Sequence, residues 1–257
     1  MKKLSGHRVL ISNDDGIHAP GIQLLEKIVR QDCDDVWVVA PDEERSGASH
    51  SVSMHNPIRV RKLDDRHFSV KGSPTDCVLM ALHELMDEHP TLVLSGINRG
   101  PNLADDTYYS GTVAVAIEAT LMGIPAIAMS QAFIKGSEVH WEMAEHYAPC
   151  IIEHILEQGI PRGTLLNVNF PPVPVAESSG VRVVRQGRRP PGAFKIDARV
   201  DRRDVPYYWV HLSPDKGDSG RGTDLEAVEA GAVAVCPLKL DMTDLDYHKT
   251  LAEKIPQ

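Results

Sequence analysis

Two neighbouring carboxylates, Asp14 and Asp15, follow one residue after a short apolar run, Val9 to Ser12, in the stretch Ser12-Asn13-Asp14-Asp15-Gly16-Ile17-His18-Ala19-Pro20-Gly21. Adjacent anions repel by about 4 kcal/mol at 4 Å if the effective dielectric is about 20. No Lys or Arg lies between Asn13 and Gln23 to offset this. A bound divalent cation is the simplest remedy, and oxygen-only ligands favour a hard one such as Mg²⁺ or Mn²⁺. Asp-Gly after a strand is also a common turn signal whose side chains stand in water, so this stretch alone leaves both readings open.

Other oxygen donors cluster where further strands are expected to end. Ser46 lies in the polar stretch Pro41 to Ser49, and Asn98 and Asn102 lie in Ser95-Gly96-Ile97-Asn98-Arg99-Gly100-Pro101-Asn102. Ser110-Gly111-Thr112 heads a run of small residues, and a hydroxyl-capped helix start presents free N–H groups and a positive dipole end, as phosphate sites do. Taken singly this is weak, because most such helix starts hold only water. His140, His146 and His154 lack the i, i+4 spacing of a helical zinc pair and are read as structural or solvated.

The elements that must position these donors read as an alternation of strands and helices. Val9 to Ser12, a helical pattern over Ile22 to Val29, and a strand over Val36 to Ala40 make a βαβ start, for which right-handed crossover into a parallel sheet is the default. Ile58 to Arg61 and Phe68 to Val70 suggest an antiparallel excursion. Ser73 caps a helix with Pro74 at its first position, running to Met86. Strands follow at Thr91 to Leu94, Ile124 to Met129, Leu165 to Phe170, Tyr207 to His211 and Ala232 to Val235, with helices at Val113 to Ala119, about Val139 to Gln158, and Thr223 to Gly231. The fold class expected is α/β with a mainly parallel sheet, and in such sheets strand ends lie on one edge, so distant residues can converge on one cation.

Composition narrows the class. At 257 residues the chain suffices for one large α/β domain or two small ones, and a net charge of -9 argues against binding of nucleic-acid polymers. The stretch Arg182 to Arg203 holds eight Lys or Arg against two Asp, yet it has few aromatics and a Pro190-Pro191-Gly192 break, and reads better as an extended arm or hairpin. Cys33, Cys77, Cys150 and Cys236 stand far apart with no CxxC spacing and are read as reduced, buried thiols. No apolar run reaches the length of a signal-peptide core or a membrane span, so the expected compartment is the cytoplasm, with no membrane partner.

Taken together, residues 12–21, Arg45-Ser46-Gly47-Ala48-Ser49, residues 95–102 and Tyr109-Ser110-Gly111-Thr112-Val113 closely resemble the SurE family of survival-protein nucleotidases. Gly72 to Cys77, Thr223-Asp224 and Pro237-Leu238 fit the same pattern, so the resemblance spans nearly the whole chain. It implies a metal-dependent phosphatase acting on nucleoside 5′-monophosphates, also 3′-monophosphates and sometimes short polyphosphate. Carried onto this chain, the metal ligands would be Asp14, Asp15, Ser46 and Asn98, with Asp14 and Asp15 catalytic. Asn102, Ser110, Gly111 and Thr112 would bind phosphate. The resemblance further implies one divalent cation per subunit, Mg or Mn, and a Rossmann-like three-layer core within a single domain over residues 1–257. A C-terminal β-rich extension at about 181–220 would serve homodimer or homotetramer formation. Arg99 stands where the family usually has a small residue, either on the rim or toward a longer substrate. His50 replaces a frequent amide or hydroxyl.

As chemistry, this site would run hydrolysis by metal-activated water, the alternative being an aspartyl-phosphate intermediate. The leaving-group acid is open among His18, His50 and water. Two rivals are weaker. A signalling receiver domain needs an acceptor Asp and a Lys where this chain has Asn98 and Ser130, and a sugar-nucleotide transferase would require an acceptor sugar.

Overall fold

The structure is a computed structural model, and it describes residues 4–192, 194–212 and 220–255. Its first strand, β1 (Arg8–Ser12), shows why the apolar run at the N-terminus is a strand of the interior. Val9, Leu10 and Ile11 are fully buried, with Val9 and Ile11 entering one apolar layer and Leu10 the other. That is the period-2 alternation of a strand covered on both faces.

The chain continues through α1 (Pro20–Val29), β2 (Asp35–Pro41), β3 (Arg59–Lys62), β4 (His67–Lys71), α2 (Pro74–Met80), β5 (Leu92–Arg99) and α3 (Gly111–Leu121). It then forms β6 (Ala126–Gln131), α4 (Trp141–Gln158), β7 (Thr164–Phe170), β8 (Val181–Val183), β9 (Phe194–Val200) and β10 (Pro206–Leu212). The last elements are α5 (Asp224–Glu229), β11 (Val233–Lys239) and α6 (Leu245–Lys254). Nine strands make one sheet in the order β3-β4-β2-β1-β5-β6-β7-β11-β8. Pairing is parallel from β4 through β7, and antiparallel only for β3 on β4 and β11 on β7. Residues of α1 and α4 fill the layer on one face, residues of α2 and α3 the layer on the other, so the architecture is a three-layer α/β sandwich.

Several elements depart from the sequence expectation. The helix from Ser73 does not run regularly to Met86; after Met80 it loosens into a π turn over Ala81–Leu85. Strand β5 does not end at Leu94 but carries on to Arg99, so Asn98 lies in a strand end and not in a loop. The pairing with β6 shifts register between Ser95 and Asn98, and Gly96 (φ 127°) supplies the bend, since a Cβ there would meet Met129 O at 2.3 Å. Cys33, Cys77 and Cys236 are buried thiols, but Cys150 is exposed, because its position on α4 faces outward. The arm expected at about 181–220 divides: β8 joins the main sheet, while β9 and β10 form a separate antiparallel hairpin. Residues 193 and 213–219 of that range lie outside the described residues.

Candidate active site

The carboxylate pair sits where the sheet order reverses. Strand β1 has β2 on one side and β5 on the other, all parallel, and Ser12 pairs with Ser95 at the last rung. Chain segments leaving β1 and β5 therefore part to opposite faces, which opens the crevice where α/β sheets place ligands. The turn after β1 is held by the buried Asn13, whose side-chain amide donates to Gly16 O at 2.9 Å, and by Ile17 N–H, which donates to Pro41 O at 2.9 Å. Gly16 takes φ 99° there.

Asp14 is 4% exposed and Oδ1 accepts the hydroxyl of Thr112 at 2.6 Å. The head of α3 approaches so closely that a Cβ on Gly111 would stand 2.6 Å from Asp14 Cβ and 3.0 Å from its Oδ2. Asp15 is half-buried, and its Oδ2 accepts the Arg99 N–H from the end of β5 at 2.9 Å. Burial pushes the Asp14 carboxyl up to about 6; the Thr112 hydrogen bond opposes this and the charge of Asp15 adds to it. Burial likewise raises Asp15, the Arg99 N–H lowers it, and Glu44 raises it further. Among the described residues neither carboxylate takes part in an ion pair.

The remaining expected site residues are placed as follows. Ser46 is exposed and its hydroxyl donates to Glu44 Oε1 at 2.8 Å. Its loop is nonetheless tied to the pair, because the Arg45 N–H donates to Asp14 O at 2.7 Å. Asn98 is half-buried; its amide nitrogen donates to Gly100 O at 2.8 Å, which leaves Oδ1 as an acceptor. Ser110 caps α3 by accepting the Val113 N–H at 3.1 Å. Asn102 is buried, and its amide nitrogen donates to Ser130 Oγ at 2.8 Å and to Thr112 Oγ1 at 3.4 Å. The side chains of the expected phosphate cradle are thus engaged within the protein, Ser110 with the Val113 N–H, Thr112 with Asp14, and Asn102 with Ser130 and Thr112. His18 is exposed, while His50 is half-buried with Nε2 against Glu118 Oε2 at 2.8 Å. The guanidinium of Arg99 lies over the Phe133 ring, 4.9 Å from its centroid, and its charge lowers the Asp15 pKa.

Sequence reasoning missed several residues that shape this edge. Glu44 acts on Asp15 through charge and holds Ser46. Asn167 and Asn169 on β7 both donate to Asn102 O, at 2.8 and 3.1 Å, and Asn169 Oδ1 accepts the Asn102 N–H at 2.8 Å. Their signal was two amides at alternating positions in a strand otherwise apolar, Leu165 to Phe170. The fully buried Asp224 accepts N–H groups from Ala104 and Gly187, each at 2.8 Å, so it braces the segment before α3 against the base of the arm. Ser49 straps the loop after β2 to the same segment, its N–H on Tyr109 O at 3.1 Å and its hydroxyl on Tyr108 O at 2.6 Å.

Among the described residues no three His, Cys, Asp or Glu side chains group into a metal cage. The donor set here is of another kind: two adjacent carboxylates that form no ion pair among the described residues, an amide oxygen and a hydroxyl in the adjoining strand-end segments. Oxygen donors with a net negative charge fit a hard divalent cation such as Mg²⁺ or Mn²⁺.

Comparison with known proteins finds similarity over nearly the whole chain. A family model described as Survival protein SurE matches residues 9–192. A protein of Beijerinckia indica subsp. indica named 5′-nucleotidase SurE is 49% identical over 255 residues, covering 97% of each chain. Another of that name from Parvibaculum lavamentivorans is 48% identical over 251 residues, covering 96% of this chain and 91% of its own. The crystal structure of the SurE protein from Aquifex aeolicus superposes with a TM-score of 0.82 at 38% identity, covering 96% of this chain and 98% of that one.

Proposed function

The chain belongs to the SurE family, and on that premise we propose that it is a 5′-nucleotidase that uses a divalent cation to release phosphate from nucleoside 5′-monophosphates. The observation that carries the reading is the carboxylate pair at the sheet's switch point, Asp14 buried and uncompensated, with the head of α3 pressed against it. Asp14, Asp15, Asn98 and Ser46 are the proposed ligands. The same site would accept 3′-monophosphates and short polyphosphate.

When bound, a hard cation supplies Lewis acidity toward a phosphate oxygen and makes water a better nucleophile. The chain's own residues set the stage for it. Thr112 fixes Oδ1 of Asp14 and the Arg99 N–H fixes Oδ2 of Asp15, so both carboxylates are held in place for a ligand. Asn102 and the head of α3 at Ser110, Gly111 and Thr112 are assigned to the phosphate, with the helix dipole offsetting charge that grows on the transferring group. Water attacks phosphorus directly, and the nucleoside oxygen leaves with a proton supplied by His18, His50 or water. Single-turnover reaction in ¹⁸O water should place label in phosphate; label in an Asp carboxylate would instead indicate a phospho-enzyme.

The decisive assay measures phosphate released from nucleoside monophosphates with Mn²⁺, Mg²⁺ or EDTA. Metal-dependent release is expected, together with its loss in Asp14→Asn while the circular dichroism spectrum stays native. Near-normal turnover by that variant would overturn the assignment.

We further read the whole chain as one α/β domain, and the β9–β10 hairpin as the element that makes a homodimer or homotetramer. Phe194, Ile196, Tyr208, Trp209 and Val210 on the hairpin are all more than 40% exposed, a concentration of apolar surface that a second subunit would cover. Among the described residues no helix is long and apolar enough to cross a membrane. The free thiols Cys33, Cys77 and Cys236 suit a reducing compartment such as the cytoplasm.

A further inference from the structure

The hairpin at the edge of the main sheet carries a charge arrangement that the activity proposed above does not use. In the antiparallel pairing of β3 with β4, Arg59 stands directly opposite Lys71, and Arg61 is two residues along the same strand. Like charges in that position destabilise a strand pair. Nearby cations have partners: Lys62 pairs with Asp65 at 2.7 Å and Arg66 with Asp35 at 3.1 Å. Among the described residues, Arg59, Arg61 and Lys71 take part in no ion pair. Charged side chains on an edge strand discourage pairing with other chains, and β3 is an edge. That purpose is served by isolated cations and does not call for two of them face to face.

Arg59 and Lys71 together line two adjoining recesses. One, of about 510 Å³, is also bounded by Arg45, Ser53, Asn56 and Ser73; the other, of about 410 Å³, adds Arg61 and the single acid Asp42. Arg45 connects this trough to the carboxylate edge, because its N–H is bonded to Asp14 O while its side chain lines the recess. The Arg45 Nη2 reaches Glu43 at 2.9 Å, yet its buried Nε has no hydrogen-bond partner. A cationic trough in a chain of net charge -9, joined to the carboxylate edge through Arg45, is complementary to further anionic groups on a molecule bound at that edge.

We infer that Arg59 and Lys71, with Arg45 at the inner end, form a subsite for a second phosphate group on the substrate. The inference rests on the phosphatase reading of the carboxylate edge. Two kinds of molecule carry such a group, a nucleoside bisphosphate and an inorganic phosphate chain.

The test is the double variant Arg59→Gln/Lys71→Gln, assayed against a nucleoside 5′-monophosphate, a nucleoside 3′,5′-bisphosphate and inorganic triphosphate. KM for the monophosphate should stay within about twofold, while KM for a doubly or triply charged substrate should rise about tenfold with kcat unchanged. In the wild type, added salt should reproduce the shift. A rise for the bisphosphate alone assigns the trough to nucleosides, a rise for triphosphate alone to phosphate chains, and a rise for both to any second phosphate. An equal change for all three substrates, or none, overturns the inference. Isothermal titration of metal-free protein with inorganic triphosphate reads the trough without turnover. Should the wild type fail to hydrolyse monophosphates, the activity reading falls, and the subsite stands or falls on whether the double variant weakens this binding about tenfold.

Discussion

At the scale of single residues, the site depends on how tightly the head of α3 is pressed onto Asp14. Only a hydrogen at Gly111 leaves room for the Asp14 side chain on one side and Pro74, whose Cγ would be 2.9 Å from a Cβ, on the other. Gly111→Ala must therefore push the helix start away. Misplacement by ~1 Å costs about 10²-fold in rate, so kcat for phosphate release should fall by about that factor. Overpacking of about 1–3 kcal/mol should lower Tm as well, read by thermal scanning. Asp14→Asn is expected to act in the opposite sense on stability. A buried carboxylate with no cation beside it burdens the metal-free fold, and the amide keeps the shape and the acceptor for Thr112. In EDTA the variant should melt higher, by roughly 2–4 °C for each kcal/mol recovered, while its phosphate release is expected to be lost. A lower Tm in EDTA would mean that the charge is held by interactions other than those described.

At the scale of elements, α1 is clamped to the hairpin edge by His67 of β4, whose Nε2 meets Glu26 at 2.9 Å and whose Nδ1 meets Asp64 at 2.8 Å. Burial pulls the imidazole pKa down, but the two carboxylates outweigh it and the net shift is upward from 6.5. A histidine with a raised folded-state pKa adds stability that is complete below 6.5 and is lost as pH climbs through the raised value. The Tm gap between wild type and His67→Gln should accordingly be widest near pH 6 and should close toward pH 9. Elements of this kind were unequally legible in the sequence. The strand before Asp14 and the helix start at Ser110 were readable, because an unbroken apolar run and a hydroxyl cap leave local marks. The continuation of β5 through Asn98 was not, since Gly96 reads as a loop when its partner β6 is out of view. Helix α6 left no mark either: none of its residues is buried, so it shows no apolar stripe aimed at a core. Within the site, the acids and the amide of Asn98 were legible as residue types, while the roles of Glu44, Asn167 and Asn169 depend on neighbours far away in the chain.

At the scale of the whole molecule, the proposed assembly and the proposed site share a frame. The base of the arm is bolted to the segment before α3 by Arg189, which meets Asp106 at 2.6 Å and whose N–H donates to Asp105 at 2.6 Å. Tyr109 then packs edge-on against Phe194 at 5.0 Å, and the same segment receives Ser49 from the loop after β2. Replacing Ile196 and Trp209, 67% and 58% exposed, with Glu should yield a species of single-chain mass in light scattering that keeps the native circular dichroism spectrum. An unchanged mass would show that subunits meet elsewhere. Among the described residues the hairpin strands pair only with each other, from Phe194 opposite Leu212 to Val200 opposite Pro206, and the chain turns over through residues 201–205 at the far end. A foreign peptide spliced into that turn would consequently ride outside the nine-stranded body without disturbing a rung of it. The tip of the hairpin is thus a natural attachment point for a fluorophore or an affinity handle that leaves the carboxylate edge of the main sheet untouched.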